Sequence, residues 1–156
     1  MKNKQKGFSL IELLIVVAII LIIAAIAIPN LLRSKMAANE ASAVGSLRTL
    51  NTAAVTYSTT YGGYPAGLAN MGPATPATST SADLVDSVLA GGTKSGYKFS
   101  WSGGTPDASG NIQSYASFAS PITSGTTGQR YFYSDQSGVI RANSAGVANI
   151  NSTPIS

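Results

Sequence analysis

The 156-residue chain has no cysteine and no histidine. Without cysteine there are no disulfide staples and no thiol catalysis. Without either residue there is no Cys/His zinc centre, no c-type haem attachment and no Ser-His-Asp triad. Charge is also scarce. Asp, Glu, Lys and Arg make up 10% of the residues, against roughly 25% in ordinary soluble domains. The formal net charge is +4, and Lys2, Lys4 and Lys6 alone supply three of those positives. The basic character therefore belongs to the first six residues, and no basic face for nucleic acid is expected. No acid, base and nucleophile form a convergent set and no phosphate-binding G-x-x-x-x-G-K-[ST] occurs, so the chain reads as a non-enzyme without a cofactor.

What the chain does have is one long hydrophobic run. After the polar, basic Met1–Gly7 comes FSLIELLIVVAIILIIAAIAI, Phe8 to Ile28, in which only Ser9 and Glu12 are polar. As a helix these 21 residues span roughly the 30 Å of a bilayer's hydrocarbon core. A helix apolar on every side belongs in lipid or in a large protein core, and this chain is too small to supply the latter. Positive charge ahead of the run predicts a cytoplasmic N-terminus. Three readings compete. One is a secretory signal peptide, for which Ala25-Ile26-Ala27 offers a small-x-small cleavage pattern. Another is a plain membrane anchor. The third is cleavage ahead of the run, at Gly7–Phe8, with the helix kept on the mature protein. Glu12 separates them. A carboxylate in a membrane helix costs several kcal/mol unless it is paired or neutralised, and it marks function by default. Cleavage at Gly7–Phe8 creates an α-amine four residues before Glu12, a cation able to neutralise it within one chain or between adjacent subunits.

Gly7-Phe8-Ser9-Leu10-Ile11-Glu12 followed by a long apolar stretch resembles the class III leader of type IV pilins and type II secretion pseudopilins. The resemblance covers about residues 1–60. It implies cleavage after Gly7 by a prepilin peptidase, N-methylation of Phe8, and a role for Glu12 in docking each subunit to its neighbour in a helical filament. Pro29 lies 22 residues into the implied mature chain, where this family commonly carries a helix-kinking proline. The resemblance further implies an inner-membrane precursor and a pilus or secretion assembly platform. The product is a homo-oligomeric extracellular filament with roles in adhesion or twitching motility, or alternatively a periplasmic pseudopilus. A secreted soluble domain cut near Ala27 is the remaining alternative.

From Asn30 to about Tyr61 there is no proline, Gly45 is the only glycine, and good helix formers recur. Val44, Leu47, Leu50, Ala54, Tyr57 and Tyr61 form an amphipathic stripe. Asn39, Glu40, Ser46, Arg48, Asn51 and Thr52 occupy the other face. The stripe serves as domain core or, on the other reading, as a contact between subunits. Arg33, Lys35 and Arg48 follow the membrane run, as interfacial charges or as partners for Glu40 or other acids of neighbours. One long helix, broken or kinked at Pro29, accounts for all of this.

The composition changes at Gly62. Gly62-Gly63 suits a helix C-cap, and residues 62–82 read as a surface connection. Its Ser/Thr cluster is a candidate for O-linked sugars, although plain low-complexity loop is the better account. A two-turn helix N-capped at Ser81 is predicted over Asp83–Leu89, with Leu84 and Val88 facing one way. Tyr97, Phe99 and Trp101 alternate with polar residues as a strand. Ile112–Ala119 is a weaker strand. Arg130–Ser134 and Val139–Arg141 flank a hairpin turn at Asp135-Gln136-Ser137-Gly138, and the tail after Ala142 is frayed or adds an edge strand. The predicted fold is α+β: a long N-terminal helical spine, kinked near Pro29, with an antiparallel sheet of three or four strands on its outer half. Residues divide into the leader 1–7, the filament-core helix 8–29, the amphipathic half 30–61 and a globular head 62–156.

Of the remaining acidic residues, Asp83 and Asp86 read as helix N-terminal charge and Asp107 as a turn residue. A calcium site at Asp107 lacks the several carboxylates usually required, and no metal is assigned. The acidic calcium loop of the major pseudopilin has no equivalent after Asp135. Twelve aromatics are accounted for chiefly by core and strand positions. Without cysteine, the sheet must be held by packing alone.

Overall fold

A computed structural model describes residues 7–155; the basic leader residues Lys2, Lys4 and Lys6 lie outside them. The elements, in chain order, are α1 (Leu10–Tyr61), a 3-10 turn (Leu68–Met71), α2 (Ser87–Ala90), and strands β1 (Thr93–Lys94), β2 (Tyr97–Gly103), β3 (Tyr115–Pro121), β4 (Tyr131–Asp135), β5 (Arg141–Asn143) and β6 (Thr153–Pro154). The fold is α+β, as its patterning predicts. Pro29 lies inside α1, and the helix is not broken there. The chain forms two compact units, one up to Lys35 and one from Met36 onwards.

The first unit is a bare helix. From Gly7 to Lys35 every residue is exposed except the half-buried Ala24. This stretch of α1 is long and apolar enough to cross a membrane, and none of its most apolar window is buried within the protein.

The second unit holds the core. Ala43, Leu47, Leu50, Ala54 and Tyr57 of α1 cluster with Tyr97 and Phe99 of β2, Tyr115 and Ala119 of β3, Phe132 of β4, and Ile140. The predicted stripe is largely right, with Val44 and Tyr61 only partly buried. The predicted polar face needs correction: Glu40 and Ser46 are buried. Asn51 also turns inward, donating to Ser134 Oγ at 2.8 Å and accepting from the Tyr115 hydroxyl at 3.1 Å. Glu40 and Asn51 are tolerated there because both meet hydrogen-bond partners on the returning chain.

The six strands form one antiparallel meander in sequence order. β2 carries the expected alternation, with Tyr97 and Phe99 buried between exposed Lys98 and Ser100. Trp101 stacks on Tyr115 with ring centroids 4.3 Å apart and donates its indole N–H to the Pro65 carbonyl at 2.8 Å. The sheet is wider than predicted because two-residue strands extend both edges, the tail supplying β6. β3 begins at Tyr115; Ile112 forms only an isolated bridge with Pro106. The Asp135–Gly138 turn is present, closed by the Gly138 N–H on the Asp135 carbonyl at 2.9 Å.

Two further expectations are revised. The segment 62–82 is not all surface, since Pro65 and Met71 are fully buried beneath it. The short helix is one turn, and its N-cap is Asp86, which accepts from the Leu89 N–H at 2.9 Å. Ser81 instead donates to the Gly72 carbonyl, and Asp83 sits at φ 51° ahead of the helix. Val85 and Leu89, not Val88, face the core.

Candidate assembly site at the N-terminal helix

Gly7 and Phe8 precede the helix without regular structure. Phe8 is 81% exposed, and nothing lies within 4 Å of where a Gly7 side chain would begin. The Gly7–Phe8 bond is thus an accessible peptide in irregular chain, the kind of site proteases cut. Helix α1 starts at Leu10. The Ser9 carbonyl accepts the Leu13 N–H at 3.2 Å, and the Ser9 N–H donates to Glu12 Oε2 at 2.8 Å. Ser9 is therefore the N-cap, and Glu12, three residues on, closes the return half of a capping box. The sequence contained this signal: Ser-x-x-Glu ahead of an apolar run is the pattern such caps show. Glu12 Oε1 has no protein partner among the described residues, so one carboxylate oxygen holds the helix end while the other faces outward.

The helix that follows has no cover within its own unit. Leu13, Ile20 and Ile28 are 58%, 57% and 66% exposed, and the same holds on every side of the rod. Burying each such side chain is worth on the order of 1 kcal/mol or more, so lipid or other copies of the helix gain tens of kcal/mol by covering the tract. Pro29 ends the wholly apolar stretch, and Arg33 and Lys35 follow, both exposed.

The second unit's charges form a different arrangement. The sequence offers Glu40 as a partner for neighbouring subunits, but the structure engages it within its own chain. Its carboxylate accepts from the Gln129 N–H at 2.9 Å, the Arg130 N–H at 3.1 Å and the Arg130 Nε at 2.8 Å. Burial pushes Glu40 up, but the two amides and the guanidinium outweigh it and hold the carboxyl below its ordinary value. Nothing in the sequence pointed to Arg130, 90 residues away. Exposed Asp86 pairs with half-buried Lys94 at 3.2 Å. Asp107 accepts from the Ser109 and Asn111 N–H groups and from Gln113, the geometry of a turn residue. Among the described residues no three acidic side chains converge on one point.

An uncovered apolar helix carried by a separately packed domain defines an anchored or self-associating subunit. A family model of the prokaryotic N-terminal methylation motif matches residues 2–28. The chain is 62% identical over 40 residues to a major component of the type IV wide pilus, PilA4, of Thermus thermophilus, a match that covers 26% of this chain and 30% of that one. It is 50% identical over 50 residues to the type IV major pilin PilA of Myxococcus xanthus, covering 32% and 23%. It is 54% identical over 52 residues to the type IV major fimbrial protein FimA of Dichelobacter nodosus, covering 31% and 33%. The chain thus spans a third or less of the length of these curated relatives. No solved structure matches it. The N-terminal segment carries the prokaryotic N-terminal methylation motif and is similar to that of these type IV pilins.

Proposed function

We propose that the chain is a prepilin that is cut, methylated and polymerised into an extracellular type IV pilus. Hydrolysis of the exposed Gly7–Phe8 bond by a prepilin peptidase frees the Phe8 amine, which is then N-methylated. The precursor waits in the inner membrane with its apolar helix in lipid. An assembly platform then transfers that helix from lipid to the company of identical helices, and the heads form the filament's skin. Hydrophobic burial supplies cohesion. The outward Oε1 of Glu12 takes a neighbour's Phe8 ammonium and sets the register, the best-attested use of a buried ion pair. Pro29 bends the helix where the packed tails give way to the heads.

The observation that carries this reading is the continuous exposed apolar helix directly behind an accessible Gly-Phe bond. The experiment is mass and N-terminal analysis of filaments sheared from cells. The expected subunit begins at N-methylated Phe8 and is abundant in the sheared fraction. A mature chain beginning near Ile28 overturns the reading. Short filaments confined to the periplasm assign the chain to protein secretion instead.

A further inference from the structure

We propose that a cleft at the C-terminal end of α1 binds a single neutral sugar ring. The cleft has a volume of about 230 Å³ and lies among Tyr57, Tyr61, Tyr64, Asn70, Ser79 and Asn111. That is smaller than the roughly 300–1,000 Å³ of pockets for drug-sized ligands, and it suits one six-membered ring.

Its walls are tied together. The Tyr57 hydroxyl and the Asn70 amide both donate to the Ser79 carbonyl, at 2.6 and 3.3 Å. The Tyr64 N–H donates to the Ile112 carbonyl at 2.7 Å. Gly63 is held so closely to Ile112 that a Cβ there would lie 2.8 Å from its nitrogen. Tyr61 packs against Tyr57 with centroids 4.7 Å apart, and Tyr64 sits edge-on to Tyr115. The cleft is therefore preformed, which lowers the ordering cost of binding.

Its chemistry is selective. The half-buried Tyr61 and Tyr64 bring aromatic side chains to its wall, where the C–H groups of a ring can meet them. The Tyr61 and Tyr64 hydroxyls and the Asn111 side-chain amide bond to no protein group among the described residues, which leaves donors and acceptors for ring hydroxyls. No Asp, Glu, Lys or Arg lines the cleft. The nearest carboxylate in this loop, Asp107, accepts the Asn111 backbone N–H at 3.0 Å, and its negative charge repels anionic ligands. A neutral, polyhydroxylated ring is what this combination recognises.

The full chain in a detergent without a sugar headgroup serves for the test. Saturation-transfer NMR is run with methyl α-glucoside and methyl N-acetylglucosaminide, and with glucose 6-phosphate and N-acetylneuraminic acid as charged counterparts. At least one neutral glycoside is expected to take up signal with millimolar affinity, and the charged sugars are not. Asn111→Ala and Tyr61→Phe are each expected to cut the signal several-fold while the Tm stays unchanged. Absence of transfer to both neutral glycosides, equal transfer to the charged sugars, or full signal in both variants overturns the proposal.

Discussion

Glu12 and Glu40 lie on the same helix and do unlike work. Glu40 is satisfied within its own chain, by two backbone amides and a guanidinium. Replacing it with Ala leaves those amides without a partner and is expected to cost about 1–3 kcal/mol, read as a lowered denaturation midpoint. Because its folded carboxyl titrates below the ordinary value of 4.5, its contribution is fully present above that value and is lost as the pH falls through the lower, folded one. Glu40→Gln is accordingly expected to make the acid limb of the stability profile shallower than in the parent. A limb of unchanged steepness argues that the clip does nothing. Glu12 has one oxygen on its own helix end and one without a partner among the described residues. Gln caps a helix in the same way but carries no charge. Filament yield should therefore fall in Glu12→Gln as well as in Glu12→Ala, with membrane insertion intact in both. Normal filaments from the Gln variant would show that capping, not charge, is what assembly needs.

At the scale of the elements, the packing of the loop ahead of β4 against β2 depends on one close approach. A side chain on Gly128 would run into the Tyr97 hydroxyl and ring. Tyr97 is itself fully buried and donates to the Arg130 carbonyl at 2.8 Å. Gly128→Ala is expected to displace that ring and destabilise the second unit by about 1–3 kcal/mol, the usual cost of overpacking, which thermal unfolding measures directly. The sequence revealed the elements with strong periodicity: the long helix, the Tyr97–Trp101 alternation and the Asp135–Gly138 hairpin. It concealed whatever depended on distant partners. Glu40, Ser46 and Asn51 looked like a solvated face because only the returning chain, some 80 to 90 residues later, gives Asn51 and Glu40 something to bond. Two-residue strands have no periodicity to detect. The cap of α2 was misplaced because Ser81 and Asp86 are both good N-caps by type, and only the fold draws Ser81 away to Gly72. The candidate assembly site rests on signals that are local and continuous, from Gly7 to Ile28.

For the molecule as a whole, the two units answer to different solvents. The first exposes apolar side chains from Phe8 through Leu32 and is stable only when lipid, detergent or its own copies cover them. The second contains every residue of the hydrophobic core, beginning at Ala43, together with the Glu40 clip and the Asn39 bond to the Thr127 carbonyl. Among the described residues the core cluster contains none before Ala43. A chain starting at Met36 is therefore expected to be soluble without detergent, to elute as a monomer and to unfold in one cooperative transition. The full chain under the same conditions should aggregate. With no cysteine, reductant has no disulfide to break in either. If the Met36 chain instead precipitates or melts without cooperativity, the membrane-proximal helix is part of the folding unit, and the separation between an insoluble stem and a self-sufficient head does not hold.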